Sequence, residues 1–262
     1  MRSLLTPRWL LSHVLVVALV VLMVNLGLWQ LRRLDERRAA NAAVEAALAR
    51  PVEDVGAVVD AGAPFGDVDG VVWRRVTATG TYALDEQVLV RSRSYQGNPG
   101  SWVLTPLVLD DGTAVAVNRG WVPIGEEGPE GPPPPESAPP TGRVTVTGVL
   151  QATQERGRFG PTDPAEGRLV TLSRLDLGRL QQQVDEDLYP VALQLEASEP
   201  AQAGGLPVPV PLPETGDEGP HLGYAVQWFV FSTIAAVGYV VILRRQRAER
   251  AGRDERVPDW VS

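Results

Sequence analysis

The sequence lacks cysteine and lysine altogether and contains only two histidines among its 262 residues. Without thiols the chain offers no disulfide framework, no thiol nucleophile and no thiolate metal site. The histidines, His13 and His221, lie outside the central region, which excludes a Ser-His-Asp or Cys-His centre and a histidine-ligated zinc site there. Copper delivery is also disfavoured, because the only other soft ligands are Met1 and Met23.

Charge is distributed unevenly along the chain, whose formal net charge is −8. Residues 39–220 carry 12 arginines against 26 acidic residues, whereas both ends carry more arginines than acidic residues. The phosphates of nucleic acid demand a basic surface, so this acidic centre argues against nucleic acid as a partner. The exclusive use of arginine, with abundant Ala, Val, Gly and Pro, suggests a high-GC bacterial source.

Two uncharged runs, Trp9–Leu31 and Leu222–Leu243, contain 23 and 22 residues. At about 1.5 Å per residue, a helix of this length spans roughly 33 Å, enough for the hydrocarbon core of a bilayer. Small residues at Ala40 and Ala42 resemble a cleavage site, but the first run is too long for a typical signal peptide. We predict transmembrane helices over 9–31 and 222–243.

The arginines around the second run predict the orientation. Six arginines follow it within twenty residues and none lies in the twenty before it, which favours a cytoplasmic C-terminus. The first run carries more arginines after it than before it and disagrees. Taking the stronger signal, we expect a multi-pass protein of the bacterial plasma membrane with cytoplasmic termini, 1–8 and 244–262, and an extracytoplasmic central domain.

The region between the runs is predicted to be a charged helical stalk followed by one domain. Residues 32–50 are rich in Ala, Arg and Glu and contain no helix breaker before Pro51. Within 51–220, one short helix is predicted over Leu175–Val184 and a tight turn at Asp111-Gly112. Six segments have the composition of β-strands: Val71–Tyr82, Glu86–Arg93, Trp102–Leu109, Thr113–Arg119, Arg143–Gln151 and Leu188–Glu196.

Two Pro-rich segments interrupt this domain. Residues 125–141 are predicted to form an exposed, extended excursion, and residues 199–220 a flexible return to the membrane. The predicted fold class is therefore a membrane protein in which two transmembrane α-helices flank a mainly-β (α+β) extracytoplasmic domain.

The second run is unusually polar at its start. His221 at a helix end near the membrane surface is a candidate ligand of a heme iron, with Tyr224 and Trp228 as aromatic walls. The alternative is an interfacial aromatic belt that needs no cofactor. A bis-histidine site with His13 is not expected, because the two would lie on the order of 25 Å apart along the membrane normal.

The helical period gives the second run two faces. One is lipid-like, and the contact face comprises His221, Tyr224, Ala225, Trp228, Ser232, Ala235 and Tyr239. Asn25, Trp29 and Gln30 of the first run should lie level with Tyr224, Gln227 and Trp228, so the helices are expected to pair there through polar side chains. Trp29 could instead be only an interfacial anchor.

In the central domain, Asn118, Arg119, Gly120 and Trp121 form an unusual strand exit. Arg119 with Trp121 could bind an anion, a porphyrin propionate or a partner carboxylate. The alternative is structural: Trp121 covers the core and Arg119 pairs with one of the many acidic residues.

The chain resembles the Surfeit locus protein 1 family, the membrane assembly factors of cytochrome c oxidase. It looks like an actinobacterial-type member of that family. The matching segments occur in family order: Leu26-Gly27, Trp29-Gln30-Leu31, Arg33-Leu34, Arg74-Arg75-Val76, Gly80, Gly100, Thr105-Pro106-Leu107, Asn118-Arg119-Gly120-Trp121-Val122-Pro123 and the run from His221 to Phe229. The Pro-rich inserts depart from the family, and the region before Leu169 lacks a clear family tryptophan.

The resemblance implies a non-enzymatic protein with a large outer loop that helps to mature the heme-bearing catalytic subunit. It implies heme a as a transient cofactor, with His221 as the matching histidine, and as partners the catalytic subunit, other assembly factors and membrane lipid. Two further functions stay open: a membrane tether that binds another partner through Arg119 and Trp121, and a hydrolase using Asp110 and Asp111 as acid and base.

Overall fold

The computed structural model describes residues 7–254 except 67, 69, 126, 127, 129, 130 and 159, and the side chains of 250–254 are left aside. The predicted terminal segments 1–8 and 244–262 thus lie partly outside the described residues. The chain divides into two compact units. One combines Met1–Ala42 with Glu214–Ser262, and the other is Ala43–Pro213.

Two helices, α1 (Pro7–Leu48) and α4 (His221–Asp254), are long and apolar enough to cross a membrane. Helix α1 continues without a break from the apolar run into the predicted stalk and ends two residues before Arg50, ahead of Pro51. A proline disfavours helical backbone in the residue before it, which explains this end. Helix α4 likewise continues past Leu243 into the basic segment.

The second unit is mainly β, as the strand-like segments predict. Two short helices are present, α2 (Val55–Val58) and α3 (Leu177–Gln181). The eight strands follow in chain order: β1 (Glu53–Asp54), β2 (Arg75–Tyr82), β3 (Val88–Tyr95), β4 (Asn98–Leu109), β5 (Thr113–Pro123), β6 (Arg143–Ala152), β7 (Thr171–Leu172) and β8 (Asp187–Glu199).

Five of these strands close into a barrel. Strand β2 pairs with β6, β6 with β8, β8 with β5, β5 with β4, and β4 returns to β2. Only the β5–β8 pairing is parallel among these five contacts. This connectivity is that of the OB-fold, a five-stranded Greek-key barrel. Strands β3 and β7 extend the sheet beyond β4, and β1 pairs with β2.

The closure depends on a glycine in β2. Gly80 pairs with Leu109 of β4 and also with Val144 of β6, so that one strand serves both edges of the barrel. A Cβ atom at Gly80 would lie 2.1 Å from the backbone oxygen of Val108. The close approach of these backbones therefore requires glycine at this position. The barrel interior is filled mainly by valine and leucine side chains.

The β4–β5 hairpin forms as its turn residues predict. Gly112 adopts a φ of +84°, and its N–H donates to the carbonyl of Leu109 at 3.2 Å. The Asp111 carboxylate accepts from the backbone N–H of Thr113 at 2.9 Å. The predicted tight turn at Asp111-Gly112 is therefore confirmed.

Several predicted boundaries were wrong. Strand β2 begins at Arg75 and not at Val71, because the preceding residues form a turn in which Trp73 adopts a φ of 69°. Strand β5 continues beyond Arg119 to Pro123, since Gly120 is accommodated inside the strand at a φ of +137°. Helix α3 covers only the middle of the predicted helical segment.

Both Pro-rich segments contact the barrel. Residues 125–141 were predicted to be exposed, and their described residues are exposed or half-buried except Ser137, which is 1% exposed and whose carbonyl accepts from Arg119. In the 199–220 segment, Val208 exchanges two backbone hydrogen bonds with Trp121, at 2.7 and 2.8 Å. Both segments satisfy polar groups of β5 that would otherwise be buried without partners.

Candidate functional site

The predicted two faces of α4 are largely confirmed within the helix pair. The contact face is buried or half-buried except for Tyr224, which is 49% exposed. Phe229 also contacts α1 at Gly27, where a Cβ atom would lie 2.8 Å from the ring. The lipid-like face is exposed throughout: Val226, Val230, Ile234, Val237 and Val241.

His221, at the start of α4, is bonded to α1. Its Nδ1 lies 2.9 Å from Oε1 of Gln30. An amide oxygen can only accept, so Nδ1 is the donor to Oε1, and in the neutral imidazole Nε2 then carries the lone pair. No residue in the described part of the chain bonds this Nε2 atom. A hydrogen bond of this kind orients the imidazole in the way that is common for metal-ligating histidines.

A turn just before α4 fixes the start of that helix. Arg38 makes two hydrogen bonds of 2.8 Å to the carboxylate of Glu218, while Arg37 and Asn41 donate to the carbonyl of Asp217. The hydrogen bond between Arg38 and Glu218 raises the pKa of the arginine and lowers that of the glutamate. Sequence reasoning missed this contact, although opposite charges beside the two apolar runs were a signal for it.

The other polar residues predicted to pair across the helices do not do so. Asn25 donates to the carbonyl of Val21 in its own helix, and Trp29 is 46% exposed. Gln227 is also exposed. Of the three α1 residues predicted to pair, Gln30 alone hydrogen-bonds α4 among the described contacts, and the exposure of Trp29 favours its interpretation as an interfacial anchor.

The second histidine contributes to a different contact. Nδ1 of His13 and the hydroxyl of Ser12 both hydrogen-bond the hydroxyl of Tyr239, the latter at 3.0 Å. His13 precedes Gln30 by 17 residues in a continuous helix, about 25 Å along its axis. The two histidines therefore lie at different levels of the helix pair and do not form one site.

Arg119 is buried at one end of the barrel, with 2% of its surface exposed. Burial lowers the pKa of its guanidinium to about 10. No acidic residue in the described part of the chain forms an ion pair with it, so the predicted pairing with an acid is wrong. Its four hydrogen bonds all go to neutral acceptors: Thr105 Oγ1, Gln87 Oε1, Gln202 Oε1 and the carbonyl of Ser137.

Two buried polar neighbours of Arg119 lack hydrogen bonds among the described residues. The Tyr82 ring lies 5.6 Å from the guanidinium, and its hydroxyl has no partner. Burial raises the pKa of this phenol to about 12. Both amide atoms of Asn118, which is 1% exposed, also lack partners.

Trp121 takes the structural role that sequence analysis left open. It is 7% exposed, its indole N–H donates to the carbonyl of Arg93 at 3.0 Å, and its ring lies 5.6 Å from that of Tyr95. A Cβ atom at Gly100 would lie 2.3 Å from the indole nitrogen, so glycine makes room for the ring. Gly120 similarly permits the approach of Val208.

The two candidate catalytic carboxylates are held in the β4–β5 hairpin. Both terminal nitrogens of the Arg143 guanidinium donate to Asp110, and Asp111 accepts from the backbone N–H and hydroxyl of Thr113. These hydrogen bonds lower the pKa of both carboxyl groups. A general acid needs a raised pKa, so this pair lacks the electrostatic arrangement of an acid-base centre.

These features define a membrane-anchored protein in which two long apolar helices flank a mainly-β unit. The chain belongs to the SURF1 family, whose model matches residues 17–233. This is the family of cytochrome c oxidase assembly factors.

Similar proteins come from bacteria and from eukaryotes. A SURF1-like protein of Mycobacterium tuberculosis is 32% identical over 257 residues, covering 95% of this chain and 90% of the relative. A SURF1-like protein of Dictyostelium discoideum is 25% identical, covering 86% and 93%. One from Rickettsia conorii is 23% identical, covering 90% and 93%. The similarity thus extends over both apolar helices and the barrel.

Proposed function

We propose that this protein assists the assembly of heme-copper cytochrome c oxidase at the bacterial plasma membrane, by stabilising the catalytic subunit while heme a is inserted. In this proposal the two helices cross the membrane, both termini are cytoplasmic and the barrel is extracytoplasmic. Membership of an assembly-factor family supports the general role, and the arginines after α4 support the orientation.

The observation that carries the heme part of the proposal is the geometry of His221. Its Nδ1–H is held by Gln30, and its Nε2 has no partner among the described residues. A histidine that ligates iron through Nε2 commonly donates its other N–H to an oxygen in this way. Heme a would supply the redox-active iron of the oxidase, and His221 is the residue of this chain that would hold that iron.

The aromatic side chains around His221 fit a transient site better than a closed pocket. Tyr224 is half-exposed, and Trp228 is half-buried with its ring edge-on to Phe231 at 6.3 Å. They follow His221 by one and two helical turns and can flank a porphyrin on one side. The remaining walls would come from the catalytic subunit, which allows the heme to be passed on.

The proposal is tested by optical spectra of the detergent-purified protein co-expressed with the enzymes of heme a synthesis. His221→Ala should lose a-type absorbance, and Gln30→Ala should weaken it because the imidazole loses its orientation. His13→Ala is the matched control, since it removes the other histidine and should retain the absorbance. Equal absorbance in all four proteins would refute His221 as the ligand.

A heme-free scaffold of the oxidase and a tether for an unrelated partner make different predictions for the same samples. A scaffold that never carries heme should show no a-type absorbance in any variant while the catalytic subunit still co-purifies with the wild type. Loss of co-purification together with normal oxidase levels in a deletion strain would instead indicate an unrelated partner.

A further inference from the structure

The guanidinium of Arg119 is a buried positive charge without a counterion in the described part of the chain. A guanidinium has five N–H donors, and Arg119 uses four of them on neutral acceptors. One N–H of Nη2 is therefore left without an acceptor among the described residues. Burying a charge is costly unless it is paired. The described surroundings of Arg119 therefore lack a negative charge and one hydrogen-bond acceptor.

The same arginine lines a cavity at the surface of the barrel unit. Ser198, Gln202, Gly204 and Gly205 form part of its wall. Glu196 also lines the cavity, but its carboxylate accepts from Nε of Arg75 at 3.0 Å, so its charge is already balanced. Arg119 is thus the cationic group of the cavity that remains to be neutralised.

The side chains that line the cavity indicate which kind of anion it can bind. The described wall contains small, aliphatic and polar side chains and no aromatic ring. A porphyrin plane usually lies against apolar or aromatic side chains, whereas a single carboxylate needs only donors and space for a short side chain. The cavity therefore fits an aspartate or glutamate better than a heme propionate.

We propose that this cavity is a carboxylate-binding site that accepts an acidic side chain of a partner protein, with Arg119 as its anchor. The incoming carboxylate supplies the negative charge that the guanidinium lacks among the described residues. This role is separate from heme binding, because it depends on the barrel and not on His221.

Replacing Gln87 by glutamate, which has nearly the same shape, places beside Arg119 a carboxylate that competes with one from outside. Oε1 of Gln87 accepts from Nη2 of Arg119 and from the hydroxyl of Thr105, both at 2.9 Å. Gln87→Glu keeps this acceptor and places a permanent carboxylate beside the guanidinium. The matched control is Gln96→Glu, which adds the same charge in the exposed β3–β4 turn.

The experiment measures the thermal midpoint of the full-length protein in detergent, in acetate or chloride at equal ionic strength. For a dissociation constant on the order of 10 mM, 100 mM acetate should raise the midpoint of the wild type by about 3–5 °C. Neutral acetamide should not raise it. Gln87→Glu should lose the response to acetate, and Gln96→Glu should retain it.

Capped peptides that contain one glutamate or one glutamine then identify the source of the carboxylate. The glutamate peptide should stabilise the wild type and not Gln87→Glu, and the glutamine peptide should stabilise neither. A response to acetate without one to the glutamate peptide would refute the protein partner and leave a site for free carboxylates. No acetate response, or the same response in wild type and Gln87→Glu, would overturn the proposal.

Discussion

The barrel closure makes the sharpest stability prediction, because Gly80 leaves no room for a side chain. An alanine Cβ would lie 2.1 Å from the backbone oxygen and 2.8 Å from the backbone carbon of Val108. Both are backbone atoms of β4, so relief requires the two strands to separate by about 1 Å. The β2–β4 contact consists of three residue pairs, Gly80–Leu109, Thr81–Val108 and Tyr82–Leu107.

Separating these strands should weaken two or three backbone hydrogen bonds, each contributing about 0.5–1.5 kcal/mol. Gly80→Ala should therefore lower the free energy of unfolding by about 1–4 kcal/mol. Urea denaturation followed by tryptophan fluorescence measures this change in the full-length protein. The matched control is Gly157→Ala, where a Cβ atom would meet nothing within 4 Å. A loss below about 0.5 kcal/mol in Gly80→Ala would refute the closed barrel.

Three further predictions concern the helix pair and the charges. Gly27→Leu should separate the two long helices, because the leucine side chain would occupy the space of the Phe229 ring. Cysteine pairs placed across the two helices of this cysteine-free chain measure the separation, and their disulfide crosslinking should be lost in Gly27→Leu. The lowered pKa of Arg119, about 10, makes the unfolding free energy rise with pH above this value, whereas the raised pKa of Tyr82, about 12, makes it fall over the same range. Arg119→Met removes the first effect and should therefore make stability fall more steeply between pH 10 and 12 than in the wild type, as measured by urea denaturation. Arg38→Gln should raise the pKa of Glu218 in an NMR titration, because it removes the hydrogen bond and the positive charge that lower this pKa in the wild type.

The sequence predicted the helices and the main strands because their signals are local. Long uncharged runs fix the two apolar helices, and the helical period identified the buried face of α4 through Ala225 and Ser232, which are 1% and 6% exposed. The Asp111-Gly112 turn followed from the backbone freedom of glycine. These features depend on neighbours within a few residues of each other.

The closed barrel and the surroundings of Arg119 could not be predicted in the same way. Closure pairs β2 with β4 and β6, and the bonds of Arg119 connect segments as distant as Gln87 and Gln202. No local pattern encodes such contacts. Sequence reasoning therefore left open whether Arg119 binds an external anion or pairs with an acidic residue of the chain, and its described partners are all neutral. Sequence reasoning also missed the hydrogen bond between His221 and Gln30. It paired residues that should lie at the same level in the membrane, and the sequence does not show which side chains face each other across the two helices.

The most direct test of the central claim is the a-type heme absorbance of membranes from a strain that lacks this protein. The absorbance should fall in the deletion strain and return with the wild-type protein or with His13→Ala. It should not return with His221→Ala, although immunoblotting should show that this variant reaches the membrane. Full a-type absorbance in the deletion strain would contradict a role in oxidase assembly. Full rescue by His221→Ala would contradict the assigned heme ligand.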